Sequence, residues 1–386
     1  MRRLTLPERP GWQARADAVG FLHHHVSGAP YWTDEVAYAF TLAEIEEGLE
    51  APCAALHAMC LEVVEHAVAT PSVLRNLAIP DRFHDWIEES WRARDPHLYG
   101  RFDLRFDGEG PPLLYEYNAD TPTSVFEAAA FQWLWLEDRL ADGSVPPGTD
   151  QWTSVHEALI ARWPEVCDPA RLLHFASVDD GFEDRATTRY LEDTARQVGF
   201  ETQYVAMDRV GVDAHGLYAD DASLVIEQAF KLYPWEDMLR EDFAEHLPGA
   251  GVRWVEPPWK AVLSNKGLLA LLWEGWPDHE NLLPAFLGEA HADLSAPFVR
   301  KPLYGREGAD ITVVGSGGEA GPQSPKQGYG AEGFVCQAYA PLPTFGKHRP
   351  VMGVWMVGDA PCGLGVREGG LITDDAARFV PHLIEV

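Results

Sequence analysis

The sequence predicts an α/β (α+β) protein with an N-terminal helical region and a small α/β substrate subdomain. Three observations carry that class. Residues 171–178 (RLLHFASV) read as a strand, 185–198 as a helix and 201–206 as a second strand, which predicts a small α/β unit within 165–260. Residues 101–118 hold two alternating runs around Asp107-Gly108, the pattern of a β-hairpin. In the first 95 residues Leu42, Ile45, Leu49, Leu56, Cys60, Val63, Val64 and Ala67 recur near helical spacing.

The elements follow in order. Thr41-Leu-Ala-Glu44 is a capping box, in which the threonine hydroxyl accepts from the Glu44 N–H while the glutamate reaches back. Pro52 weakens or divides the helix behind it. A second capping box, Ser124-Val-Phe-Glu127, is expected to start a helix running to about Asp138. Residues 140–151 are a polar, Pro/Gly-rich connection. The apolar run Leu268 to Trp273 reads as a buried helix, and 297–303 as a strand. Residues 305–330 form a long Gly-rich loop, of a length that is usually functional or disordered. Strands are expected at 333–340 and 351–358, and a helix at Thr373 to Phe379.

Composition narrows the function. The 386 residues carry a formal net charge of −30, with 46% hydrophobic and 23% charged residues, which is globular and acidic. Nucleic acid and anionic membrane both need clustered cations, so neither is the expected partner. No apolar run is long enough to cross a bilayer. The five cysteines, Cys53, Cys60, Cys167, Cys336 and Cys362, are odd in number and lack CxxC spacing, which suits reduced thiols. A soluble, cytoplasmic protein is expected.

Common catalytic signatures are missing. There is no Walker A, HExxH or GxSxG sequence. Gly315-Ser-Gly317-Gly-Glu-Ala320 only loosely imitates a dinucleotide fingerprint, because a proline and further glycines follow it. The run His23-His24-His25 reads as a partly exposed polar turn rather than a metal site.

Three constellations remain. On the hairpin, Arg101, Asp103 and Arg105 share one strand face, and Glu116 and Asn118 share a face on the partner strand. Pairing would bring Asp103, Glu116 and Asn118 together as an all-oxygen set suited to Mg²⁺; the competing reading is the polar outer face of a surface hairpin. Lys260, Lys266, Lys301 and Arg306 stand out as cations in an acidic chain, and Lys301 opens into Gly305-Arg306-Glu307-Gly308. A lysine beside free backbone N–H groups suits a polyphosphate, although each cation alone reads as a surface charge. Asp179, Asp180, Glu183 and Asp184 form an acidic cluster after a strand; it fits either a cationic ligand or the negative first turn of a helix.

These segments resemble the synthetase half of the glutathionylspermidine synthase family. The resemblance rests on RFDLRFDGEGPPLLYEYNADTPTS, EQAFKLYPWE, PPWKAVLSNKGLLALLWE, VRKPLYGREGADI and GVWMVGDAPCGLGVREGGLITD, spread from about residue 30 to the C-terminus. The stand-alone members, which lack a fused amidase domain, look most similar. The resemblance implies an ATP-grasp-like fold in a permuted arrangement, spanning 1–386 as one synthetase region. Its parts would be 1–100 helical, 101–164 the metal-binding hairpin and helix, 165–260 the α/β substrate subdomain, and 261–386 the ATP-binding lysines, Gly-rich loop and last strands. It further implies ATP, two Mg²⁺ ions, an acyl-phosphate intermediate and an amide formed from a small-molecule acid and amine. By position, Asp103, Glu116 and Asn118 would hold magnesium. Lys266, Lys301, Gly305, Gly308 and Gln337 would hold ATP. Arg101 and Arg306 would contact the reacting acid and its phosphorylated form. Glu183 and Asp184 would face the polyamine, with Ser124 on the substrate. One position departs: Leu232 stands where glutathionylspermidine-forming members carry a small hydroxylated residue, and leucine cannot hydrogen-bond a carboxylate. Both substrates are therefore left open. The rival readings are an ATP-binding regulator or scaffold without turnover, and a kinase-like enzyme releasing a phosphorylated acid.

Overall fold

In the computed structural model, residues 1–26, 28–179, 183–315, 320–324 and 327–385 are described. The N-terminal part opens with β1 (Arg2–Thr5), which pairs antiparallel with β2 (Val36–Phe40). All five β2 residues are buried. The sequence predicts mostly helix over the first 95 residues and does not mark this strand, because a five-residue apolar run has no period that separates strand from buried helix. The Thr41–Glu44 capping box is present in both directions. A π-helical turn over Glu46–Glu50 then leads into α1 (Ala51–Ala69). Pro52 follows the π-helical turn directly within a chain that is already helical, so its missing N–H falls at the π-to-α junction and marks that junction rather than ending the helix. Helix α2 (His84–Arg92) follows.

The hairpin forms as expected from β3 (Tyr99–Arg105) and β4 (Leu113–Asn118). It is the edge of a five-stranded antiparallel sheet completed by β14 (Arg349–Val357), β15 (Ala360–Gly369) and β16 (Arg378–Val380), in the order β16-β15-β14-β3-β4. The second capping box does not form. Ser124 has φ +68° and its hydroxyl meets Tyr31 instead. Glu127 is drawn to buried His23 at 2.9 Å. With no cap, the chain enters through a π-helical turn, Glu127–Phe131, before α3 (Gln132–Asp142).

Helix α4 (Val155–Val166) leads into the α/β unit: β5 (Leu173–Ser177), α5 (Glu183–Gln197), β6 (Thr202–Ala206), β7 (Gln228–Leu232) and β8 (Arg253–Val255). Its sheet is parallel, ordered β8-β7-β5-β6. The apolar run predicted as helix is α6 (Leu268–Gly275), buried from Leu268 to Leu272.

A second antiparallel sheet, ordered β9-β13-β10-β11-β12, is built from β9 (Ala285–Leu287), β10 (Phe298–Pro302), β11 (Thr312–Val314), β12 (Ala320–Gln323) and β13 (Phe334–Ala338). The expected continuous loop over 305–330 thus contains a strand pair, β11 with β12. The β-branched run Ile311-Thr-Val-Val supplies the strand propensity that the surrounding glycines hid. The expected helix at Thr373–Phe379 is absent: Asp374 caps a turn through the Ala376 N–H, and Phe379 enters β16 opposite Arg367. Stacking of Phe379 on Trp32, 5.6 Å between centroids, outweighs the propensity of so short a segment. Strand β17 (His382–Ile384) closes parallel to β2. Among the described residues no helix is long and apolar enough to cross a membrane.

Candidate active site

A cleft of about 710 Å³ opens where the hairpin, the second sheet and the start of α5 meet. Strand pairing sets its floor. Asp103 lies directly opposite Glu116 and Arg101 opposite Asn118, and all four line the cleft. Phe102 and Tyr117, the alternate residues, turn to the other face and stack at 3.8 Å. The competing reading of a solvated hairpin face fails here, because Arg101 and Asp103 are buried.

Asp103 is gripped from two sides. Arg101 donates Nε to Oδ1 at 2.7 Å and Nη2 to Oδ2 at 3.1 Å, and Arg367 on β15 donates to Oδ2 at 2.5 Å. Burial alone would raise this carboxyl. The two guanidiniums outweigh it and bring it down to about 2, so Asp103 is ionised at neutral pH. Arg101 is itself fixed by the Thr123 carbonyl at 2.8 Å.

The lysines fall on the other wall. Lys301 is buried, and its ammonium donates to the Tyr115 carbonyl at 2.9 Å and to Gln337 Oε1 at 2.7 Å. Burial, assisted by neighbouring Lys266, lowers it to about 8 despite Glu116. Lys266 does not itself line the cleft; it stands just behind, donating to Glu116 at 2.9 Å and to the Gly305 carbonyl at 2.6 Å. Gly308 has φ +72°, and a Cβ there would lie 2.6 Å from the Thr373 carbonyl oxygen, so only glycine closes this turn over the cleft. Arg306 lies between Thr121, 3.4 Å away, and the charges of Asp184 and Glu236. These charges outweigh burial and raise its pKa. Lys260, grouped with these cations from sequence, is elsewhere: it is fully buried and paired with Glu256 at 2.8 Å.

The remaining predicted residues also converge. Glu183 and Asp184, at the start of α5, line the cleft, as do Ser124, Gly305 and Gln337. Asp180 and residues 316–319 of the glycine-rich motif lie outside the described residues. Leu232, in contrast, is fully buried in β7 within the apolar core and does not line the cleft.

Sequence reasoning missed four cleft residues. Arg367 was within a quoted segment but given no role. Asp120 accepts from Lys231 at 2.7 Å and from the Trp235 N–H at 2.8 Å, a fully buried pair that ties β7 to the hairpin's exit. Glu236 is raised to about 7 by burial and then by Asp120. Tyr31 comes from the N-terminal part through its bond to Ser124 at 3.0 Å. For Asp120 and Glu236 the available signal was an acidic residue two positions beyond the hairpin and another closing FKLYPWE.

Carboxylates that hold guanidiniums, the buried Lys301 ammonium and a glycine-bounded turn thus meet at one cleft, a set of groups that could hold an anionic ligand together with cations. The fold that presents it is shared with a glutathione synthetase-like effector of Globodera pallida, at TM-score 0.53 and 11% identity over 90% of this chain and 89% of that one. The family model described as glutathionylspermidine synthase preATP-grasp matches residues 3–385, and the chain belongs to that family. A Haemophilus influenzae protein named "Putative acid--amine ligase" is 38% identical over 99% of both chains. A trypanothione synthetase of Crithidia fasciculata is 27% identical over 86% of this chain, and a bifunctional glutathionylspermidine synthetase/amidase of Escherichia coli is 25% identical over 78%. The chain spans about half the length of these last two, 54% and 52%.

Proposed function

We propose that the protein is an ATP- and Mg²⁺-dependent acid–amine ligase that activates a carboxylate as an acyl phosphate and joins it to an amine. The observation that carries this reading is the double arginine grip on Asp103, directly opposite Glu116, facing the buried ammonium of Lys301 across one cleft. The oxygen set of Asp103, Glu116 and Asn118 fits Mg²⁺, because Asp103 is held ionised and Asn118 Oδ1, bonded to the Thr121 N–H at 3.1 Å, keeps a lone pair. When bound, two such ions would neutralise the phosphate charge of ATP. Lys301 and the turn from Gly305 to Gly308 would hold the phosphates, with Gln337 on the nucleotide side and Lys266 adding its charge from just behind the Gly305 turn.

In this reading the acid carboxylate, oriented by Arg101 and Ser124, takes the γ-phosphoryl group and ADP leaves. Arg101 and Arg306 stabilise the charge that spreads over the phosphoryl oxygens. The amine nitrogen then attacks the acyl carbon and inorganic phosphate leaves. The amine proton passes to a carboxylate; Glu236, poised near neutrality, suits that task, while Glu183 and Asp184 hold the cationic amine. The peptide or amino-acid class of acid and the polyamine class of amine are the candidates. Leu232 lies in the apolar core away from the cleft, so it does not bear on which acid is taken, and the acid is left open.

The test is ADP release from ATP and Mg²⁺ across a matrix of acids and amines, with mass spectrometry of products. The expected result is a pair giving ADP and a product of acid plus amine minus water. ADP without any amine requirement would favour a kinase-like enzyme. ATP binding with no ADP from any pair would favour a regulator or scaffold.

A further inference from the structure

On the reverse face of the hairpin from the cleft, three side chains from distant segments meet. His57 comes from α1, His97 from the segment before β3, and Asp359 from the tight turn between β14 and β15. Their ligand atoms lie within 4.8 Å of one another. His57 Nε2 and His97 Nε2 stand 3.0 and 2.9 Å from the same oxygen, Asp359 Oδ1. Both histidines are buried, at 2% and 5% exposure, and their rings are nearly parallel. The Asp359 side chain is 69% exposed, so solvent reaches the group from that side.

We propose that His57, His97 and Asp359 form a mononuclear site for a zinc-class divalent ion, with water in the remaining position. The donor chemistry selects the ion. Two imidazoles and one carboxylate suit zinc and its neighbours, whereas the all-oxygen set in the cleft suits magnesium. The geometry is near that of a bound ion, since bonds of ~2.0–2.1 Å in a tetrahedron give ligand separations of roughly 3.3 Å. The outer contact is also in place: His57 Nδ1 meets the Tyr117 hydroxyl at 3.1 Å, which fixes the ring with Nε2 toward Asp359. Tyr117 lies between Glu116 and Asn118 on β4. An ion here would fasten α1 and the β14–β15 turn to the back of the strand whose front lines the cleft.

The competing role is a plain hydrogen-bonded clasp, with Asp359 accepting from both rings. Asp359→Asn separates the two, because an amide oxygen still accepts hydrogen bonds but lacks the charge of a carboxylate ligand. The measurement is Zn²⁺ affinity by competition with a chromophoric chelator, at excess Mg²⁺. It is made in a His24→Gln/His25→Gln background to remove those two adjacent imidazoles, whose Nδ1 atoms lie 2.8 Å apart, with Co²⁺ absorption as the geometric probe. The expected result is one Zn²⁺ per chain, a tetrahedral Co²⁺ spectrum and a Zn²⁺-dependent rise in Tm, with affinity falling at least about tenfold in Asp359→Asn and in His57→Gln. Absence of stoichiometric Zn²⁺ binding, or equal affinity in Asp359→Asn, would overturn the proposal and leave the clasp.

Discussion

Replacing Asp103 by asparagine tests the centre of the site on two independent readouts. The carboxyl lies at about 2 against an ordinary 3.8. At about 1.4 kcal/mol per pH unit, that gap is about 2 kcal/mol of native-state preference for the ionised form. The residue is nearly enclosed, so little of this is screened by solvent. Asparagine keeps the shape and accepts hydrogen bonds, but Arg101 and Arg367 lose their shared counter-charge. Denaturant titration at pH 7 should show Asp103→Asn less stable by about 2 kcal/mol, which leaves an ordinary domain folded. The sign with pH follows from a depressed carboxyl. Its contribution is fully present above 3.8 and is lost as pH falls toward 2, so wild type and variant should converge over that interval. At pH 7 the variant, though folded, should release no ADP with an acid–amine pair that supports wild-type turnover. Equal stability at pH 7 would refute the arginine grip. Retained turnover in a folded variant would refute the role of Asp103 in holding magnesium.

Further outcomes follow from the same geometry. Burial sets Lys301 at about 8, so its charge is lost above that value; wild-type ATP affinity should weaken from pH 7 to 9.5, and Lys301→Met should bind weakly with a flat profile, as read by calorimetry. Equal slopes in the two proteins would remove Lys301 from the nucleotide site. A Cβ on Gly353 would lie 2.9 Å from Arg101 Cδ and 3.2 Å from the Gly365 carbonyl oxygen, and Arg101 cannot yield while Asp103 and Thr123 hold its head. Gly353→Ala should therefore cost about 1–3 kcal/mol of stability and lower kcat at least tenfold, whereas unchanged kcat would show that Arg101 tolerates displacement. Glu236→Gln should abolish an acid limb near pH 7 in the rate profile; a limb that persists assigns proton acceptance to another group.

What the sequence disclosed depended on range. The Asp103, Glu116 and Asn118 face was legible because a hairpin is local: two short strands and a period of two suffice to place side chains. Strands β5 and β6 and helix α5, consecutive in the chain, were legible for the same reason, whereas β7 and β8 of the same sheet were not marked. Lys266 and Lys301 needed the family resemblance, since nothing in a lysine's neighbours says that it is buried. Arg367 was not legible as a partner of Asp103, which lies 264 positions away and two strands across the sheet. Yet β15 carries a signal of its own. Consecutive residues Arg367 and Glu368 interrupt an otherwise apolar strand, and strand alternation must send them to opposite faces. Arg367 reaches the cleft and Asp103. Glu368 reaches the back, where Tyr38 donates at 2.6 Å and Arg3 at 2.5 Å, fastening β1 and β2 to the same sheet. A strand that places one paired charge on each face joins site to scaffold, so the N-terminal strands missed from sequence belong to the structure that positions the arginine grip.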